Sequence, residues 1–215
     1  MRIRIQKYGD RSRGGFSLIE MMVVFSIIGI LATIGTMSYT SFINRARLGS
    51  ATDITASTLR QARQLAIATR ISHRVVFNVP QQGSLQEKIP LPQEVWIEKM
   101  ENGKWIPVSD PKRLPSGAAI TSFNGREPGS GTNSTVYYAE FNYRGQMTKC
   151  YFSSDATAES MSLYIHLARV GDNVDPKKED QRTLANSIEV LRLTGRVRVY
   201  DYGYGVPFPT TEYRG

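Results

Sequence analysis

An uncharged run of 24 residues, 21–44, constrains the fold of this chain more than any other feature of the sequence. As an α-helix it would be about 36 Å long, enough to cross a hydrocarbon core of roughly 30 Å. Basic residues precede the run, so the positive-inside tendency keeps the N-terminus in the cytoplasm. The run is too long for a secretory signal, and no A-x-A-like cleavage site follows it. The sequence therefore predicts a retained transmembrane helix.

Glu20 lies one residue before this run. A carboxylate within a bilayer costs about 2.5–3.5 kcal/mol or more, and such residues usually have a dedicated partner. One interpretation places Glu20 at the headgroup interface, near the favourable N-terminal end of the helix dipole. The other gives it a partner charge, and the residues before it favour that interpretation.

The sequence RGGFSLIEMMVV over residues 13–24 follows a basic leader. It resembles the class III signal of type IV pilins and of the pseudopilins of type II secretion systems. The resemblance implies that a prepilin peptidase cuts between Gly15 and Phe16 and that Phe16 becomes the N-methylated N-terminus. It also implies that Glu20 pairs with the N-terminal amine of a neighbouring subunit and sets the axial register. Such a pair is favoured because opposite charges attract strongly in a low dielectric.

The remaining sequence predicts an α+β, pilin-like fold, in which a long N-terminal transmembrane and amphipathic helix packs on an antiparallel β domain. The predicted domains are a cleaved leader over 1–15, a hydrophobic filament-core helix over 16–44, an amphipathic continuation over 45–72 and a β domain over 73–215. The continuation carries an apolar stripe expected to pack on the sheet: Leu48, Leu59, Ala62, Ala66 and Ile67.

Period-two patterns predict nine strands after Ser72, over 74–79, 94–100, 105–108, 118–123, 135–142, 147–152, 161–168, 187–194 and 196–200. Asn102-Gly103 is a strong hairpin signal, and Arg144-Gly145 and Thr194-Gly195 are weaker ones. Residues 109–117, 124–134 and 171–183 are expected to be loops.

Within the pilin class, the helix-to-strand segment and the C-terminal sequence GRVRV resemble the GspH/FimT-like minor subunits. In the FimT branch a GRxR motif is associated with DNA capture, which implies DNA contacts by Arg196 and Arg198. Strand alternation places the two guanidinium groups on one face, where they could bridge phosphates. The alternative is that GRVRV is a turn and strand with no DNA role. Aromatic residues in the tail could stack on bases: Tyr200, Tyr202, Tyr204, Phe208 and Tyr213.

Composition excludes several other functions. A single cysteine, Cys150, rules out an intrachain disulfide and multi-thiolate metal sites, and neither of the two histidines, His73 and His166, lies in an HExxH pattern. No cofactor motif or metal site is predicted, and we expect no enzymatic activity. The net charge is +8, but half of it lies in the first 15 residues, so the basic pI is weak evidence for nucleic-acid binding.

The sequence as a whole predicts a minor pilin or pseudopilin at the tip or in the initiation complex of a type IV pilus or type II secretion pseudopilus, with a DNA-binding minor pilin as the alternative. The resemblance implies as partners the prepilin peptidase, other minor subunits, the major subunit and the inner membrane, with DNA as a further candidate. The β domain would be periplasmic until assembly brings it into the pilus or pseudopilus at the cell surface.

Overall fold

A computed structural model describes residues 17–80, 92–123, 136–151, 162–169 and 185–200. The chain divides into two compact units, 1–42 and 43–215. Predictions for Gly15, Phe16, the loops over 124–134 and 171–183 and the tail after Tyr200 lie outside the described residues. The same holds for the outermost residues of three predicted strands, at 135, 152 and 161.

Helix α1 extends over Leu18–Thr69. It ends three residues before the predicted boundary because Arg70 takes a left-handed conformation, with φ of 56°, which stops helical propagation. Within the described part of the chain, no helix is both long and apolar enough to be counted as a membrane span. The predicted transmembrane assignment is therefore not confirmed.

Within the described ranges, ten strands follow the helix: β1 (His73–Asn78), β2 (Glu94–Glu101), β3 (Lys104–Pro107), β4 (Lys112–Arg113), β5 (Ala118–Phe123), β6 (Val136–Phe141), β7 (Met147–Tyr151), β8 (Ser162–Arg169), β9 (Ala185–Leu191) and β10 (Val197–Tyr200). All described pairings are antiparallel. The α+β prediction is confirmed.

The strands of the described part of the chain form two sheets. Sheet A has the order β3-β2-β1-β6-β7, with β4 also paired to β2, and sheet B has the order β10-β9-β8-β5. The amide of Met147 at the start of β7 donates to the carbonyl of Arg192, just after β9, at 3.0 Å. This hydrogen bond joins sheet A to sheet B at the turn between β6 and β7 and the turn between β9 and β10.

The core lies between the helix and one face of each sheet. Leu48, Leu59, Ala62 and Ala66 are buried there, as the helical spacing predicts. Ile67 is an exception, because 44% of it is exposed. Its Cδ1 lies 2.6 Å from where a side chain at Gly145 would begin, so it covers the β6–β7 turn.

One strand was missed by the sequence patterns. Residues 109–117 are predicted as a loop, yet β4 lies within them and pairs with Glu94 and Val95 of β2. Pro111 precedes β4, and Pro115 follows it after Leu114. Because proline lacks an amide donor, these two residues limit β4 to a short strand at the sheet edge.

Candidate functional site

The start of helix α1 carries the first predicted site. The Ser17 hydroxyl accepts a hydrogen bond from the amide of Glu20 at 3.2 Å, and the Met21 amide donates to the Ser17 carbonyl, also at 3.2 Å. Ser17 is thus the N-cap, and Glu20 is the third residue of the helix, where a carboxylate interacts favourably with the helix dipole. The S-x-x-E spacing of residues 17–20 is a capping-box signal for the start of a helix.

The first turns of the helix expose large apolar side chains around the whole circumference. Leu18 is 79% exposed, Ile19 71% and Phe25 65%, and the aliphatic residues between them are also exposed. Glu20 is also exposed, so it places a single carboxylate within this apolar surface. Apolar surface of this extent needs a covering partner, either other protein or lipid.

The second predicted site, Gly195-Arg196-Val197-Arg198, spans the end of the β9–β10 turn and the start of β10. Gly195 has φ of 60°, and a side chain there would overlap the carbonyl oxygen of Gly145 in the neighbouring turn. Arg63 of helix α1 lies against both turns: its Nε donates to the carbonyls of Thr194 at 3.1 Å and Gly145 at 3.2 Å. The glycine of this motif is therefore required by packing.

Arg196 and Arg198 are both exposed and flank the buried Val197. They differ in what they contact. Arg198 forms an ion pair of 3.6 Å with Glu189 of β9, which lies opposite it in the strand register. Hydrogen bonding to Tyr200, together with the charge of Glu189, raises the pKa of Arg198. Arg196 forms no ion pair with any residue that the structure describes, and its amide donates to the Thr194 hydroxyl.

Glu189 is the centre of a polar cluster on sheet B. The residue is 6% exposed, and its carboxylate accepts hydrogen bonds from the hydroxyls of Tyr164 at 2.9 Å and Tyr200 at 2.7 Å. Burial, followed by the hydrogen bond to Glu189, raises the pKa of Tyr164 to about 12. No local sequence pattern indicates this cluster, because its members come together only through the pairing of β8, β9 and β10.

The two histidines, the first candidates for catalysis, are buried and hydrogen-bonded within the fold. His73 is 1% exposed, and its Nδ1 is 2.9 Å from the Ile71 carbonyl. His166 is 2% exposed and bonds the Ser187 hydroxyl at 2.8 Å, and burial lowers its pKa to about 4. Burial also raises the pKa of the Cys150 thiol, an effect that Arg192 opposes. Among the described residues, no group of three or more His, Cys, Asp or Glu side chains could hold a metal ion.

Residues 10–36 match a family model described as the prokaryotic N-terminal methylation motif. The match spans Gly15, Phe16 and Glu20, and it confirms the predicted resemblance at the N-terminus. No curated protein matches the chain.

Among solved structures, the chain is similar to the type IV minor pilin FimU of Pseudomonas aeruginosa in two crystal forms. The first alignment has 15% identity and a TM-score of 0.44, and it covers 75% of this chain and 93% of FimU. The second has 14% identity and a TM-score of 0.40, and it covers 72% and 94%.

Proposed function

We propose that this chain is a minor pilin or pseudopilin, a structural subunit at the tip or in the initiation complex of a type IV pilus or type II secretion pseudopilus. The observation that carries the proposal is the methylation motif over 10–36, which leads into a capped helix with exposed apolar side chains. Such a helix is suited to being covered by lipid before assembly and by neighbouring helices afterwards.

The proposed route begins in the inner membrane. The helix inserts with its N-terminus cytoplasmic and the β domain periplasmic, and a prepilin peptidase then removes residues 1–15. Phe16 becomes the methylated N-terminus. The matured subunit joins other minor subunits and the major subunit in the pilus or pseudopilus. In this scheme the chain acts by assembly and not as an enzyme, in keeping with the burial of His73 and His166.

Removal of the leader has an electrostatic consequence in this scheme. It creates an ammonium group at Phe16, and a carboxylate at Glu20 of a neighbouring subunit can neutralise it. Each charge alone would be costly in an apolar filament core, so the pair stabilises one axial register over others. Before cleavage the amine does not exist, so processing precedes assembly.

The N-terminus of the processed protein tests this proposal. After co-expression with a prepilin peptidase, intact mass and N-terminal sequencing should give a chain that begins at Phe16 and carries one added methyl group. Gly15→Leu should retain the leader, whereas Gly14→Leu, one residue earlier, is the matched control. A mature chain that keeps Met1, or one cut elsewhere, would exclude the proposal.

The choice between pilus and secretion pseudopilus depends on which major subunit the chain contacts. Cross-linking in cells, followed by mass spectrometry of the adducts, should recover a major pilin in the first case and a major pseudopilin in the second. A copy number far below that of the major subunit is expected for a tip or initiation subunit. An equal copy number would contradict the minor role.

We infer DNA binding as a second candidate function. The observation that favours it is the exposure of both Arg196 and Arg198 beside a tight turn. Titration of labelled DNA with the full chain should give a dissociation constant that rises steeply with salt, because phosphate contacts release counterions. Absence of binding at low salt would remove this function and leave the structural role intact.

A further inference from the structure

Three segments that contact one another in the structure are rich in arginine. These are the end of helix α1 over 60–70, the β6–β7 turn over 142–146 and the β9–β10 turn over 192–196. We call this region the arginine junction. The three segments together contain six arginines and no acidic residue: Arg60, Arg63, Arg70, Arg144, Arg192 and Arg196.

Direct contacts hold the three segments together. Arg63 bonds the carbonyls of Gly145 and Thr194, and Gly195 lies against the carbonyl of Gly145. The bond from Met147 to Arg192 joins the same two turns. Arg144 and Arg196 are each one residue from the glycine that makes this contact, so residues from two different sheets place an arginine beside it.

The junction leaves its charges accessible. Arg144 and Arg196 are exposed, and so are Tyr143 and Leu193 beside them, at 52% and 72%. Arg60 lies one turn of the helix before Arg63, which contacts both turns, and Arg70 follows directly after the helix end. Arg144 lies 5.3 Å from the ring of Tyr143. Exposed guanidinium groups next to an exposed aromatic ring are suited to phosphate contacts and base stacking.

We propose that the arginine junction is the surface that binds the phosphate backbone of DNA. This rests on the second candidate function and changes the residues assigned to it. Arg144 of the β6–β7 turn acts with Arg196, while Arg198 has a structural role because Glu189 neutralises it. The binding surface is therefore built by two sheets and the helix end, and not by the GRVR segment alone.

The test uses the full chain in non-ionic detergent and a fluorescein-labelled DNA duplex of mixed sequence, followed by fluorescence anisotropy over a range of salt concentrations. Arg144→Gln and Arg196→Gln should each raise Kd roughly fivefold and reduce the salt slope by about 1. Arg144→Lys should bind close to the wild type, because it retains the charge. It also reports any effect of the substitution on folding.

Arg113→Gln is the matched control, since it removes the same charge from β4, where Arg113 pairs with Glu94 at 3.0 Å. Its Kd should stay within about twofold of the wild type. An equal loss in this variant would mean general attraction to a basic protein and would overturn the proposal.

Two further outcomes distinguish failure of the arginine-junction proposal from failure of DNA binding itself. If Arg196→Gln and Arg198→Gln weaken binding while Arg144→Gln does not, the GRVR segment binds DNA and the arginine junction is wrong. If the wild-type chain binds no DNA at low salt, the second candidate function fails, and the junction proposal fails with it.

Discussion

Buried polar side chains in this protein are satisfied by specific short hydrogen bonds. Thr52 and Thr55 of helix α1 donate to carbonyls four residues earlier, and Asn186 of β9 donates to the Thr52 hydroxyl at 3.0 Å. A buried polar group without a partner costs about 1–3 kcal/mol, so each of these bonds matters. Ser122 is the exception among the described side chains, because its buried hydroxyl has no hydrogen-bond partner.

His166 makes stability depend on pH. Its pKa is about 4 in the folded protein and about 6.5 in an unfolded chain, so the unfolded chain binds more protons between these values. The contribution is fully present above pH 6.5 and is lost as the pH falls towards 4. We expect the free energy of unfolding to be about 2 kcal/mol lower at pH 5 than at pH 7 because of this residue.

Urea denaturation at the two pH values measures this difference. In His166→Gln most of it should disappear, because glutamine does not titrate in this range. A variant with the same pH dependence as the wild type would show that another group is responsible.

Gly195 should tolerate substitution poorly. Gly195→Ala places an ordinary residue at φ of 60° and drives its side chain into the Gly145 carbonyl, so the turn must move. We expect a loss of about 3 kcal/mol in the free energy of unfolding. Gly103→Ala is the control, because Gly103 has φ of 77° but no atom within 4 Å of the added carbon, and about 1 kcal/mol is expected. Equal losses in denaturation experiments would exclude the packing explanation.

At the scale of elements, local sequence signals predicted much of the β domain. Asn102 and Gly103 both have positive φ and form the turn between β2 and β3, as the Asn-Gly dipeptide predicted. The strand starting at Glu94 and the strand over 118–123 also lie where alternation placed them. The order of the strands could not be predicted from local sequence, because the residues of β1 pair with residues of β6 that lie 58 to 68 positions later in the chain. For the same reason local sequence predicted neither the Glu189 cluster nor the contact between the two turns.

The helix segment that packs in the core should respond to truncation of its apolar stripe. Leu59 is fully buried, so Leu59→Ala leaves a cavity and should lower the free energy of unfolding by about 2–5 kcal/mol. Leu193→Ala removes the same atoms from a side chain that is 72% exposed, and a change within about 0.5 kcal/mol is expected. Thermal or urea denaturation gives both values. A small effect at Leu59 would contradict its place in the core.

At the scale of the whole molecule, the proposed assembly predicts that a substitution can leave insertion into the inner membrane intact and still reduce incorporation into filaments. Glu20→Ala should still insert into the inner membrane, because it removes a charge from an apolar segment. Its incorporation into filaments should fall by at least about tenfold, because the amine of its neighbour loses a partner. Membrane fractionation and immunoblotting of sheared filaments measure the two quantities.

Ser17→Ala is the control for this experiment. It removes the hydroxyl that caps the helix but keeps the carboxylate of Glu20. Incorporation near the wild-type level is expected in this variant. If both variants lose incorporation equally, the loss reflects the start of the helix and not charge pairing.

Cys150 offers a native reporter of motion at one edge of sheet A. It is the single thiol of the chain, it lies on the outermost strand β7, and its raised pKa keeps it protonated near neutral pH. A thiol-specific reagent should therefore label it slowly while β7 remains paired with β6, and the rate of alkylation would measure how often that strand detaches.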